Sequence, residues 1–174
     1  MRSLSRGAMI AALSAAIAGS AGVLAARPAA AETLIVFTAL LNGAEEIPPN
    51  NSPSQGVAQV LLVKETNMVC YRISYSPLSG TEILAHFHGP AAPSQSAPVL
   101  VNISPSPTPI GSPKHGCVPF TKDQVKLLTK GLTYLNVHSI PQFPAGEIRG
   151  QVLPTKVKYS KVPAPASPSG AFLD

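Results

Sequence analysis

The feature that most restricts the fold is the way proline interrupts the apolar sequence. The chain carries 19 prolines, three of them in Pro105, Pro107 and Pro109 alone. They punctuate short apolar segments in the manner of an all-β protein, because proline is tolerated at sheet edges and turns and excluded from sheet interiors. Within those segments side chains alternate with period two. In Glu82-Ile83-Leu84-Ala85-His86-Phe87-His88-Gly89-Pro90, Ile83, Ala85 and Phe87 form an apolar face directed at the core. Leu84, His86 and His88 point the other way, so two imidazoles leave the same side of one strand.

Further strands are expected at residues 34–41, 56–63, 68–76, 99–103, 132–140 and 147–153, with a weaker one at 155–159. Residues 64–67 read as a hairpin turn. Segment 44–53, with Glu45-Glu46 and Pro48-Pro49, reads as a loop. Segment 104–119 has five prolines and no periodicity, which makes it a long excursion. One helix is expected at 121–130, where Thr121 and Gln124 form a capping box, Val125, Leu127 and Leu128 supply an apolar side, and Lys130-Gly131 supplies the stop. This order predicts an antiparallel β-sandwich or a flattened Greek-key barrel with one short helix.

Residues 1–31 read as a signal peptide. Arg2 and Arg6 open a stretch that is almost wholly apolar or small, and Ala29-Ala30-Ala31 offers a cleavage site before Glu32. The competing reading is an uncleaved anchor, against which stands a composition of Ala and Gly rather than Leu and Phe. The expected organisation is a signal at 1–31, a β domain at 32–160 and a Pro/Ser/Ala tail at 161–174, located in the periplasm or secreted. Removal of Arg2, Arg6 and Arg27 takes the formal charge from +5 to +2. The remaining basic residues are scattered, which argues against a nucleic-acid partner, and no later segment is long and apolar enough to span a membrane.

Cys70 and Cys117 are the two cysteines of the chain. In an oxidising compartment such a pair forms a disulfide that ties the 104–119 excursion to a strand. The alternative makes Cys117, beside His115 and Gly116, a soft metal ligand and leaves Cys70 unpaired. The histidines are 86, 88, 115 and 138. Tyr134, Asn136 and His138 share a face, so a neighbouring strand would bring His138 beside His86 and His88. Burying imidazoles costs several kcal/mol each when they are charged and unpartnered, a difficulty that a metal removes because it binds them neutral. His86, His88 and His138 are therefore the expected metal ligands, with His115 or Glu147 as a fourth or supporting group. Glu147 has a further role open to it, a salt bridge with Arg149 on the same strand face. Three imidazoles with at most one oxygen suit copper first and zinc second, and exclude a calcium cage.

Four blocks in order resemble the chordin-type (CHRD) domain family: residues 37–49, from Phe37-Thr38-Ala39 to Ile47-Pro48-Pro49; Ala85-His86-Phe87-His88-Gly89-Pro90-Ala91; Tyr134-Leu135-Asn136-Val137-His138; and Gly146-Glu147-Ile148-Arg149-Gly150-Gln151. The family takes its name from modules of an extracellular growth-factor antagonist, and its bacterial members are exported proteins. The resemblance implies an exported single-domain protein, and it does not extend to the 104–119 insertion with His115 and Cys117. His86-Phe87-His88-Gly89 is also similar to the His-x-His strand of copper-zinc superoxide dismutases, which implies a strand-borne copper site. The chain has too few histidines and aspartates for both metals of that family.

The functional expectation is an exported protein that binds one transition metal, with redox chemistry open to it. The alternative is a metal-free extracellular module that docks another exported protein. A hydrolase has less support: no Gly-x-Ser-x-Gly elbow occurs, and Glu82 with Glu147 forms a glycosidase pair only if the fold brings them together.

Overall fold

The protein was analysed as a computed structural model, which describes residues 32–162, with side chains as far as residue 155. The signal and most of the tail expected from sequence lie outside the described residues. Nine strands follow one another as β1 (Glu32–Asn42), β2 (Gln55–Val63), β3 (Met68–Tyr75), β4 (Thr81–His88), β5 (Val99–Ser104), β6 (Lys114–Pro119), β7 (Tyr134–Ile140), β8 (Phe143–Gln151) and β9 (Leu153–Val162). The helix α1 (Lys122–Thr129) lies between β6 and β7. The strands form one sheet in the order β5-β4-β7-β8-β1-β2-β3-β6, with β9 added alongside β1. Every pairing is antiparallel and the sheet curls into a nearly closed barrel.

Period-two alternation builds the interior. Phe37, Ala39 and Leu41 from β1 meet Ala58, Val60 and Leu62 from β2, and Val69, Tyr71 and Ile73 continue the layer on β3. Ala85 and Phe87 on β4 and Leu135 and Val137 on β7 close it from the other side. Tyr71 and Phe120 each place a ring edge-to-face with Phe87, at 6.0 and 5.4 Å between centroids. The helix carries the capping box its sequence announces: Thr121 Oγ1 accepts from the Gln124 amide, and Gln124 Oε1 accepts from the Thr121 amide. Its Leu128 is buried, and Gln124 Nε2 donates to the Leu100 carbonyl on β5.

Two local features depart from the sequence-based expectation. The 104–119 segment is not patternless throughout, because β6 pairs residue by residue with β3. Its prolines hide the strand, which has Gly116 and Pro119 among its six residues. Cys70 and Cys117 face each other in that register and are joined by a disulfide, with Cα atoms 3.9 Å apart.

The second departure lies at the start of β4, where the register against β7 slips between Glu82 and Leu84. The extra residue reverses the alternation there. Glu82 therefore faces inward like Ala85 and Phe87, while His86 and His88 face outward. Ile83 is only half-buried. Inside, Glu82 pairs with the fully buried Lys114 at 2.6 Å and also accepts from Ser104, from the Gly111 amide and from the Tyr75 hydroxyl. Burial pushes its carboxyl up, but Lys114 and the hydroxyl donors outweigh this and hold it below the ordinary range.

Removing the crosslink with Cys70→Ala/Cys117→Ala is expected to lower unfolding stability by about 4 kcal/mol, the loop-closure estimate for a separation of 47 residues. Denaturant titration measures it, and a loss below about 1 kcal/mol would mean that pairing alone holds β6 in place. Lys114→Met is expected to cost about 3–5 kcal/mol by stranding the Glu82 charge, and adding Glu82→Gln should recover most of that loss. Equal instability of the single and double variants would contradict a charge-pair origin.

Candidate metal centre

His86 and His88 leave β4 on the side away from the core, and Asn136 and His138 leave β7 on the same side. Cross-strand pairing sets His86 opposite Asn136, His88 opposite Tyr134 and Leu84 opposite His138. The three histidines converge, each offering one ring nitrogen within 4.8 Å of the others. The His86 ring centroid lies 5.4 Å from that of His88 and 5.1 Å from that of His138.

Although this is the outer face of the sheet, it is covered. All three histidines are at most 8% exposed. One cover is the segment after β4: His88 Nδ1 meets the Ala97 carbonyl at 2.9 Å, Arg149 donates to the Gln95 carbonyl at 2.5 Å, and Gln151 donates to the Ala91 carbonyl at 2.8 Å. The other is the loop after β1, where Asn50 donates to the carbonyls of Gly146 and Glu147, both at 3.1 Å. That loop lays the Glu46 carboxylate against Gly146. Gly146 has φ +143° and its missing Cβ would lie 2.6 Å from Glu46 Oε1, so no other residue fits there without strain.

The covering groups also orient the rings. A backbone carbonyl can only accept, so the Ala97 carbonyl places a proton on His88 Nδ1, and the Pro144 carbonyl, 3.0 Å from His138 Nδ1, does the same there. In both rings Nε2 is the nitrogen left for another partner. This is the arrangement by which proteins orient metal-binding histidines. Tyr134 stacks on His88 with centroids 4.7 Å apart, and the Arg149 guanidinium sits 3.5 Å from the same Tyr134 ring centre.

The electrostatics keep the rings neutral. Burial, with added repulsion from His138 and His88, pushes His86 down to about 4. Burial also lowers His88, helped by Arg149 and opposed by the Ala97 carbonyl and Asn136. His138 is lowered by burial, against the Pro144 carbonyl and with His88. Among the described residues, four buried side-chain polar atoms have no hydrogen-bond partner: His86 Nδ1, His138 Nε2, Glu46 Oε1 and Thr133 Oγ1. Three of the four belong to this cluster or its cover. Neutral imidazoles that bring one ring nitrogen each within 4.8 Å of the others, two of them with an unpartnered nitrogen, fit a transition-metal ion.

The remaining sequence candidates lie elsewhere. His115 is exposed on β6 opposite Arg72 and is not in the cluster. Cys117 is committed to the disulfide. Glu147 accepts from the hydroxyls of Ser52, Ser54 and Ser139 and from the Ser79 amide. Burial raises its carboxyl, and those donors together hold it below its ordinary value. Arg149 turns to Tyr134 and Gln95 instead of pairing with it. Glu82 and Glu147 are each saturated within separate networks, which leaves neither free for acid–base work.

Glu46 carries no periodic signal in the sequence, yet it sits 7% exposed beside the cluster. Burial drives its carboxyl up to about 7, only partly offset by Arg149 and by a hydrogen bond from Asn136. A carboxyl that titrates near 7 in the fold, against an ordinary 4.5, imposes no penalty below pH 4.5. The penalty grows between the two values and is complete above 7. Glu46→Gln is therefore expected to stabilise the metal-free domain at pH 8 by up to about 3 kcal/mol and to change it little at pH 4. Thermal unfolding at the two pH values measures this, and an equal effect at both would remove burial of the charge as the cause.

The fold and site define a strand-built extracellular-type module with a buried histidine cluster under two covering loops. A family model for the CHRD domain matches residues 37–152, and the chain belongs to the CHRD domain family. No curated protein and no solved structure shows a match to it. Family and disulfide are consistent with an extracellular location. No helix of the described residues is long and apolar enough to cross a membrane.

Proposed function

We propose that this exported protein binds one transition-metal ion through His86, His88 and His138, copper first and zinc second. The observation that carries the reading is the convergence of three buried ring nitrogens, His86 Nδ1 and His138 Nε2 among the unpartnered atoms. Donors about 2.0–2.1 Å from one tetrahedral ion stand about 3.4 Å apart, so a cluster already within 4.8 Å needs only small ring movements to close on it. Ion pairing cannot explain the cluster, since its rings are held neutral. Copper bound there would supply one-electron chemistry and zinc a Lewis acid. The chain's own residues hold the rings, keep them unprotonated and exclude water. We place the protein in the periplasm or outside the cell, following the signal expected from sequence at residues 1–31 and the disulfide.

The second reading, a metal-free module that docks another exported protein, is favoured by one observation: Leu40 and Val57 are exposed side by side on β1 and β2.

Purified protein stripped with chelator is expected to take up one equivalent of Cu2+ or Zn2+, measured by calorimetry and elemental analysis. His86→Ala/His88→Ala should lose that binding and keep the circular dichroism of the folded domain. Unchanged affinity in the folded double variant would sink the metal reading and leave the docking module.

A further inference from the structure

Asn136 lies at the centre of the cluster, 4% exposed and opposite His86 in the sheet. Its Oδ1 is 2.9 Å from His88 Nε2. On the other side of that ring, Nδ1 is 2.9 Å from the Ala97 carbonyl. Both ring nitrogens thus face oxygen acceptors, but a neutral imidazole has one N–H to give. If Nδ1 carries it, the lone pairs of His88 Nε2 and Asn136 Oδ1 point at each other.

Three arrangements relieve that conflict. An imidazolium would donate both ways, but it would put a cation on a residue 8% exposed, with only the stacked Tyr134 ring between it and the Arg149 guanidinium. Turning the amide over would offer its NH2 to His88, but would take that NH2 away from the Glu46 carboxylate, which the Asn136 side chain neighbours and which has no N–H to give in return. The third is a cation that accepts both lone pairs. Two donors about 2.0–2.1 Å from one ion, at angles between octahedral and tetrahedral, stand about 2.9–3.4 Å apart. The observed 2.9 Å falls at the lower end of that range.

We infer that Asn136 is the fourth ligand of the site, its amide oxygen completing an N3O shell with His86, His88 and His138, and that Glu46 is the positioning residue that holds the amide with its oxygen inward. The inference rests on the reading that the three histidines bind a metal. It gives the site a hard donor that suits divalent Zn2+, Cu2+ and Co2+. It also gives Glu46 a role besides cover, since a carboxylate fixed by the loop after β1 selects one of two amide orientations.

Co2+ is the probe. Chelator-stripped wild type titrated with Co2+ is expected to show the intense visible d–d bands of four-coordinate cobalt. Asn136→Ala should bind 10- to 100-fold more weakly with bands of lower intensity, as water enters the vacated position. Asn136→Asp, which keeps an oxygen in place, should restore the intensity and the affinity, a rescue that a purely structural role would not give. Glu46→Gln should weaken Co2+ binding less than Asn136→Ala. In the unsubstituted protein, Zn2+ should shift the Asn136 side-chain 13Cγ resonance downfield and leave that of Asn67, in the turn between β2 and β3, in place, a readout that does not depend on any variant folding. Wild-type affinity and spectrum in Asn136→Ala, or an unmoved Asn136 13Cγ in the Zn2+-loaded protein, would overturn the inference while the three-histidine site stands. Failure of the folded wild type to bind Co2+ or Zn2+ at all would overturn both.

Discussion

The phase of alternation along β4 governs everything described above. A strand sends its side chains to opposite faces with a period of two, so a single inserted residue exchanges the faces. The register slip between Glu82 and Leu84 is such an insertion. Without it, Glu82 would share the outer face with His86 and His88, and Lys114 would be left inside the barrel without its counter-charge. With it, one strand places a charged pair in the interior and two neutral imidazoles outside, separated by the thickness of the sheet.

Covering the outer face has a physical cost that decides the protonation state of what lies beneath. Two loops, held by backbone and side-chain hydrogen bonds to Gly146, Glu147, Arg149 and Gln151, exclude water from three imidazoles. Charging any one of them means desolvating a cation in the buried cluster, and at His88 the Arg149 guanidinium adds repulsion. The cluster therefore stays neutral, and its lone pairs remain available. Tyr134 adds rigidity, because its ring is shared between His88 and Arg149. The same residues that make the site electrically quiet make it geometrically fixed.

Much of this was legible in the sequence, and the parts that were not share a cause. Ala85, Phe87, Leu135 and Val137 alternate strictly, so the faces of β4 and β7 and the meeting of His86, His88 and His138 follow from counting. The capping box of Thr121 and Gln124 is equally local. The strand Lys114–Pro119 was hidden because Gly116 and Pro119 mask its pattern and its pairing with β3 is set by tertiary contacts. Glu147 looks like a ligand in one dimension because its neighbours are Gly146 and Arg149. Only the fold reveals that Ser52, Ser54 and Ser79, far away in sequence, converge on it. Glu46 was missed for the converse reason: a loop has no periodicity from which the direction of a side chain can be counted. Asn136 does carry a signal, its place on the face of His138, but a lone amide is too common on strand faces to mark a site by itself.

Three buried carboxylates show how structure and function separate in this domain. Glu82 and Glu147 each gather four donors and titrate below their ordinary range, as expected where a buried charge serves stability. Glu46 has an unpartnered oxygen and titrates far above its range. A protein that satisfies two such groups fully had the means to satisfy the third, so the deficit at Glu46 calls for a local reason. Two of the other three unpartnered atoms supply it, because His86 Nδ1 and His138 Nε2 lie in the same neighbourhood. Among the described residues, three of the four unpartnered buried atoms thus belong to the histidine cluster and its cover. A divalent cation at that point would take the imidazole lone pairs and add to the positive charge that Arg149 alone supplies near Glu46.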